Sequence, residues 1–200
     1  RQAGHAQEHS GGVQEGGEDA AVVRFLDVDG QRDLLDSLPR NYYFGGVLIT
    51  RDKAGIFYAR FGEEGPRVLY HRMGTDSTDD RVIFGKGLSR RSTIAISLSE
   101  DGEYLIIDVG YGWSRNDVFL YKIAEGGKPT PIVRGLDARF SVQIADNRLF
   151  VLTNWQAPKG RILTGDVSRP RHDSWKELVP ETDQVCTGLS LAGGRLFVRY

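Results

Sequence analysis

The chain has 200 residues, enough to bury a substantial core and to make one or two domains. Its 26 basic and 27 acidic residues nearly cancel, which leaves no electrostatic footprint for nucleic acid or an anionic membrane. The single cysteine, Cys186, excludes an internal disulfide and a cysteine-rich zinc site and fits a reducing, cytoplasmic compartment.

Residues 1–20 carry five glycines and four acidic residues with few apolar ones, so they read as a flexible tail that cannot offset the entropy of ordering. They show no charged-then-apolar targeting signal, and no apolar run in the chain approaches the roughly 18 residues needed to span a bilayer. His5-Ala6-Gln7-Glu8-His9 spells the H-x-x-E-H zinc pattern, which requires a rigid helix in a core. The glycine-rich setting lacks an apolar face, so the match reads as coincidence.

From Ala21 the pattern is strand and turn. Val22–Val28 is a strand, Asp29-Gly30 a hairpin turn, and Leu34–Leu38 a short segment closed by Pro39. Asp27, Asp29 and Asp33 around Gly30 lack the remaining ligands of a calcium loop. Strands follow at Phe44–Thr50, Ile56–Phe61, Arg67–Met73 and Arg81–Phe84, then at Ile94–Leu98, Tyr104–Val109, Val118–Ile123 and Thr130–Val133. A further set comprises Phe140–Ala145, Leu149–Thr153, Arg161–Asp166 and Trp175–Val179, and a partial one Val185–Leu191 and Arg195–Tyr200.

The first strands of successive sets, near Val47, Ile96, Val142 and Leu189, are 46 to 49 residues apart. Four short strands per repeat at a period of ~40–50 residues predict an all-β fold, a β-propeller of about four blades, within residues 21–200. The alternative is a β-sandwich, which needs no fixed long period. An incomplete ring would leave apolar faces bare: Phe44, Val47 and Ile49 at one end, Leu189, Leu191, Leu196 and Val198 at the other.

Chemistry is sparse. Gly188-Leu189-Ser190-Leu191-Ala192 approximates a nucleophile elbow, yet it sits in an apolar alternation with no following helix. His71 falls in an alternating strand and His172 in a turn, and no Ser, His and Asp grouping declares itself. The glycine-lysine pairs Gly85-Lys86 and Gly127-Lys128 lack phosphate-loop spacing. Trp113, Trp155 and Trp175 are expected to pack between blades, and Cys186 to be a small buried hydrophobe. No metal or cofactor site is expected.

Several strings, in order, resemble the propeller of the prolyl oligopeptidase family of serine peptidases. They are Thr50-Arg51-Asp52 with Gly55-Ile56-Phe57-Tyr58, and Tyr70-His71-Arg72-Met73-Gly74-Thr75 with Asp79-Asp80. Ser99-Glu100-Asp101-Gly102-Glu103-Tyr104, Thr153-Asn154 with Ala157-Pro158 and Arg161, and Trp175 through Glu181 continue the series. Ile49 stands where that family usually has tryptophan.

The resemblance implies a seven-bladed propeller that caps an α/β-hydrolase domain and admits short peptides. This chain has room for about four blades and none of the hydrolase domain, so the resemblance transfers no catalytic residue to it. It implies the hydrolase domain of the same parent protein as partner, no cofactor, and a substrate-proximal position for Ser190. The rival from another class is a stand-alone propeller-like scaffold that binds a protein on its rim.

Overall fold

The computed structural model describes residues 9–13, 21–41 and 44–200. Among these, the regular elements are seventeen strands and two 3₁₀ turns, divided between two compact units, Arg1–Arg90 and Arg91–Tyr200. None of the described helices is long and apolar enough to cross a membrane.

In the first unit β1 (His9–Val13), β2 (Ala21–Asp27) and β3 (Arg32–Asn41) form a three-stranded antiparallel sheet. The expected tail therefore contains a strand: His9 lies opposite Leu26 and Val13 opposite Val22, so β2 templates a segment too polar to order alone. The other residues of the H-x-x-E-H string lie outside the described residues. Asp27 shapes the β2–β3 turn, its carboxylate accepting from the Gly30 N–H at 3.0 Å and facing the Arg32 guanidinium at 3.5 Å. β3 runs through Pro39 instead of stopping there. The pairing slips between Ala21 and Val23, where Pro39 sits, so its missing N–H interrupts no regular ladder.

β4 (Phe44–Ile49), β5 (Gly55–Gly62), β6 (Gly65–Arg72) and β7 (Arg81–Phe84) complete this unit as a four-stranded meander. Val23, Phe25 and Leu38 of the first sheet pack with Ile56, Tyr58 and Leu69 of the meander, and Val47 and Ile49 lie against them. The apolar face expected to be bare at Val47 and Ile49 is therefore covered by the chain's own first sheet.

The second unit holds two more meanders: β8 (Thr93–Leu98), β9 (Tyr104–Tyr111), β10 (Arg115–Lys122) and β11 (Thr130–Val133), then β12 (Phe140–Ala145), β13 (Arg148–Thr153), β14 (Arg161–Asp166) and β15 (Lys176–Val179). β16 (Gly188–Ala192) and β17 (Arg195–Arg199) form a two-stranded hairpin. Tyr104, Ile106, Val118 and Leu120 share one core with Phe140, Val142, Leu149 and Val151, so the two meanders bury their facing surfaces on each other. Leu189, Leu196 and Val198 pack in turn on Ile162 and Cys186.

The turns between first and second strands show why certain residues recur. Asp146 and Asn147 at φ 49° and 57°, and Gly193 and Gly194 at 55° and 69°, take the left-handed pair that a two-residue hairpin demands. The longer turns use a hydroxyl and a carboxylate. The Thr50 hydroxyl donates to Asp52 at 2.6 Å and accepts from the Gly55 N–H at 3.1 Å, while Asp52 accepts from the Ala54 N–H at 3.0 Å. The Ser99 hydroxyl likewise donates to Asp101 and accepts from the Tyr104 N–H at 2.9 Å, with Asp101 accepting from Glu103. Ser99→Ala leaves the Tyr104 N–H without this partner in a buried turn, and a loss of about 1–2 kcal/mol is expected in urea unfolding. Stability unchanged from wild type would show that the hydroxyl contributes nothing there.

Candidate functional site

In each meander the strands alternate in direction, so the turn after the second strand and the connection leading to the next sheet emerge at the same end. In the second unit this end carries the β9–β10 turn, the 134–139 connection, the 154–160 loop and the 180–187 connection. The last three border an open cleft of about 320 Å³ lined by Asp108, Arg139, Ser141, Asn154, Lys159 and Cys186, among others.

The cleft is held by side-chain anchors on backbone. Asn116, fully buried on β10, donates to Asp108 and to the Phe140 carbonyl, both at 2.8 Å, and accepts from the Phe140 N–H at 2.8 Å. One amide thus fastens the start of β12 to the preceding meander. Asn154 repeats the device, accepting from the Arg139 N–H at 2.8 Å, and Asp117 accepts from the Gly135 N–H at 2.8 Å. The Cys186 N–H donates to the Lys159 carbonyl at 2.7 Å, and the Lys159 N–H donates to Glu181.

Burial pushes the Asp108 carboxyl above its ordinary value, opposed by the Arg139 guanidinium and the bond from Asn116. Tyr111 is likewise raised, first by burial and then by its bond to Asp117, with Arg134 and Arg115 opposing. The cleft lining includes two cations, one amide, two hydroxyls, a thiol and a carboxylate but no histidine. Such a set can recognise a polar ligand; it lacks the nucleophile-base pair of acyl transfer.

Trp155 and Trp175 pack as expected, each against Phe140 at ring distances of 6.5 and 6.4 Å, with His172 set edge-on between them. Trp175 also donates to the Pro170 carbonyl at 3.1 Å and lies over Gly165, where a Cβ would stand 2.5 Å from the indole. Trp113 departs from the packing expectation: it is 99% exposed in the β9–β10 turn. A three-residue overhang beyond paired strands gives it nothing to pack on, a situation that aromatic content alone does not reveal.

Ser190 sits mid-strand in β16, exposed and opposite Phe197. The residues around it continue a regular antiparallel hairpin, so the elbow-like string makes no strand-to-helix turn. Ser190 is not among the residues lining the cleft. His71 is fully buried with Nδ1 at 2.7 Å from Asp80 and Nε2 at 3.2 Å from Asp36. A carboxylate on each nitrogen leaves no face for a serine, so this is not a catalytic triad.

The comparisons with known proteins agree with this architecture. The model of the family described as "Prolyl oligopeptidase, N-terminal beta-propeller domain" matches residues 12–200. A prolyl endopeptidase from Elizabethkingia meningoseptica is 24% identical over 200 aligned residues, covering 94% of this chain and 28% of that protein. Prolyl oligopeptidase A from Galerina marginata is 24% identical, covering 86% of this chain and 26% of that protein.

Among solved structures, one from a study of two prolyl endopeptidases superposes with a TM-score of 0.87 at 27% identity, over 96% of this chain and 30% of that one. Apo prolyl oligopeptidase B from Galerina marginata shares the fold at a TM-score of 0.76 and 19% identity, over 92% of this chain and 29% of that one. The chain thus spans between a quarter and a third of the length of these proteins. The four-stranded meanders, the motif-bearing loops and the match across residues 12–200 lead to one conclusion: the chain belongs to the prolyl oligopeptidase N-terminal β-propeller domain family.

Proposed function

We propose that this chain is the non-catalytic propeller region of a prolyl oligopeptidase-type serine endopeptidase, where it caps the active site and gates entry of short peptides. The observation that carries the reading is the family match over residues 12–200 together with coverage of only 28% of a full-length relative, the prolyl endopeptidase. Its partner is the α/β-hydrolase domain of the same protein, its substrates are short peptides, and it works in the cytoplasm without a cofactor. Residues 21–200 act as one partial propeller domain.

Acyl transfer requires an activated nucleophile, a base and an oxyanion hole, and Ser190 on a regular strand has none of these close by in sequence. The 200-residue chain is therefore expected not to cleave a proline-containing peptide. Turnover abolished by Ser190→Ala would overturn the assignment, as would serine-inhibitor-sensitive turnover that survives it.

Gating is tested in the parent enzyme, with its hydrolase domain in place. Placing a bulky side chain by Ser190→Trp should raise KM for a short peptide severalfold and leave stability unchanged, because Ser190 is exposed. An unchanged KM would remove Ser190 from the neighbourhood of the substrate. Deleting the propeller should let the enzyme cleave longer chains, and a retained size limit would refute the cap.

A further inference from the structure

Outside the cleft, the first unit contains a buried charged cluster that the proposed function does not use. His71 on β6 has no exposed side-chain surface, the Asp80 side chain is 1% exposed and that of Asp36 9%. Asp80, just before β7, faces Nδ1 at 2.7 Å and also accepts from the Tyr58 hydroxyl of β5 at 2.6 Å. Asp36, on β3 of the other sheet, faces Nε2 at 3.2 Å and accepts from the Gly74 N–H.

We propose that His71 is a proton-operated latch, adding to the packing of β3 on the β4–β7 meander a charged link that holds only while both ring nitrogens carry hydrogen. A neutral imidazole has one N–H and one lone pair. Ionised carboxylates only accept, so either neutral tautomer aims a lone pair at a carboxylate where water is excluded. The doubly protonated ring donates in both directions and places one positive charge between two negative ones.

The two sides are not equal. Asp80 makes the shorter contact and is also held by Tyr58, whose phenol is raised far above its ordinary value by burial and by the Asp80 carboxylate, with Arg60 opposing. When the ring loses a proton to solvent, the longer Asp36 contact is the one released. Asp36 is the member that reaches across to β3, so release loosens the attachment of the first sheet and leaves β5 through β7 intact.

Asp76, before the 3₁₀ turn Ser77–Asp79, is a further charged group within electrostatic reach of the ring. The latched state holds one more proton than the released one. Lower pH therefore favours latching until the carboxylates themselves take up protons, and rising pH favours release.

The test uses the 200-residue chain. Long-range nitrogen-proton spectra of His71 should show both ring nitrogens in the protonated class at neutral pH. Hydrogen exchange, corrected for intrinsic rates, is then followed from about pH 5 to about pH 9, the span that brackets imidazole titration. Protection of β3 amides relative to those of β5 should fall by up to about tenfold per pH unit once release couples to one proton.

Asp36→Asn, whose amide can pair with a neutral ring in either tautomer, should flatten this dependence. A lone-pair-bearing nitrogen in wild type, β3 protection that does not follow pH, or an Asp36→Asn profile identical to wild type would each overturn the latch. If Asp36→Asn does not fold, the wild-type ring spectrum still decides.

Discussion

Replacing Asn116 by alanine is expected to lower the stability of the second unit by about 3 kcal/mol, because one side chain satisfies three buried partners. Asn116 is itself fully buried and holds both backbone groups of Phe140 as well as Asp108, at 2.8 Å in each case. Alanine leaves the Phe140 N–H and C=O without this partner next to a core in which Phe140 is 1% exposed. Each buried group left unpaired costs roughly 1–3 kcal/mol, more than the net gain from an ordinary hydrogen bond.

Asp108 suffers as well, since burial already disfavours its charge and the Asn116 amide is one of two groups opposing that effect. Urea unfolding of Asn116→Ala checks the figure, with Ser114→Ala on the neighbouring exposed turn expected within about 0.5 kcal/mol of wild type. A loss below about 1 kcal/mol for Asn116→Ala would mean that water or relaxed backbone replaces the amide, and that the two meanders are not joined through it.

The second large effect expected is self-association of the 200-residue chain. β17 pairs only with β16 among the described residues, whereas the three meanders each have four strands, so its outer edge presents unpaired backbone groups. Apolar side chains of β17 and of the residue after it are exposed beside that edge: Phe197 is 56% exposed and Tyr200 49%. The inward residues Leu189, Leu196 and Val198 are already covered by Ile162 and Cys186, so the sticky surface is the edge and outer face of the hairpin.

Light scattering across a concentration series should show growth in mass, and Phe197→Lys should suppress it by placing a charge on the apolar face. A monodisperse monomer at high concentration would show that the hairpin edge is not adhesive. Extending the chain so that β17 gains strand partners in cis is expected to abolish association.

Most strand positions are legible in the residues. The period-two runs and their turn signals locate β11, β12 and β14 to the residue, and the spacing of 46 to 49 residues between first strands matches the three observed meanders. Local rules succeed there because a pleated strand with one buried face and a left-handed turn leave direct marks on composition. The strings that resemble the family also act locally: Thr50 with Asp52 and Ser99 with Asp101 close turns, and Thr153 accepts from the Trp155 N–H.

Tertiary structure decided the rest, wherever the deciding partner lies far along the chain. β1 exists because β2 offers it an edge, and Val47 and Ile49 are covered because the first sheet packs on them. Trp175, read from its neighbours as a strand residue, instead precedes β15 and lies over Gly165. Asn116 meets Phe140 across 24 residues and His71 meets Asp36 across 35. No local pattern marks such pairs, because the free energy that places a buried polar group comes from the acceptor and donor waiting for it in another strand.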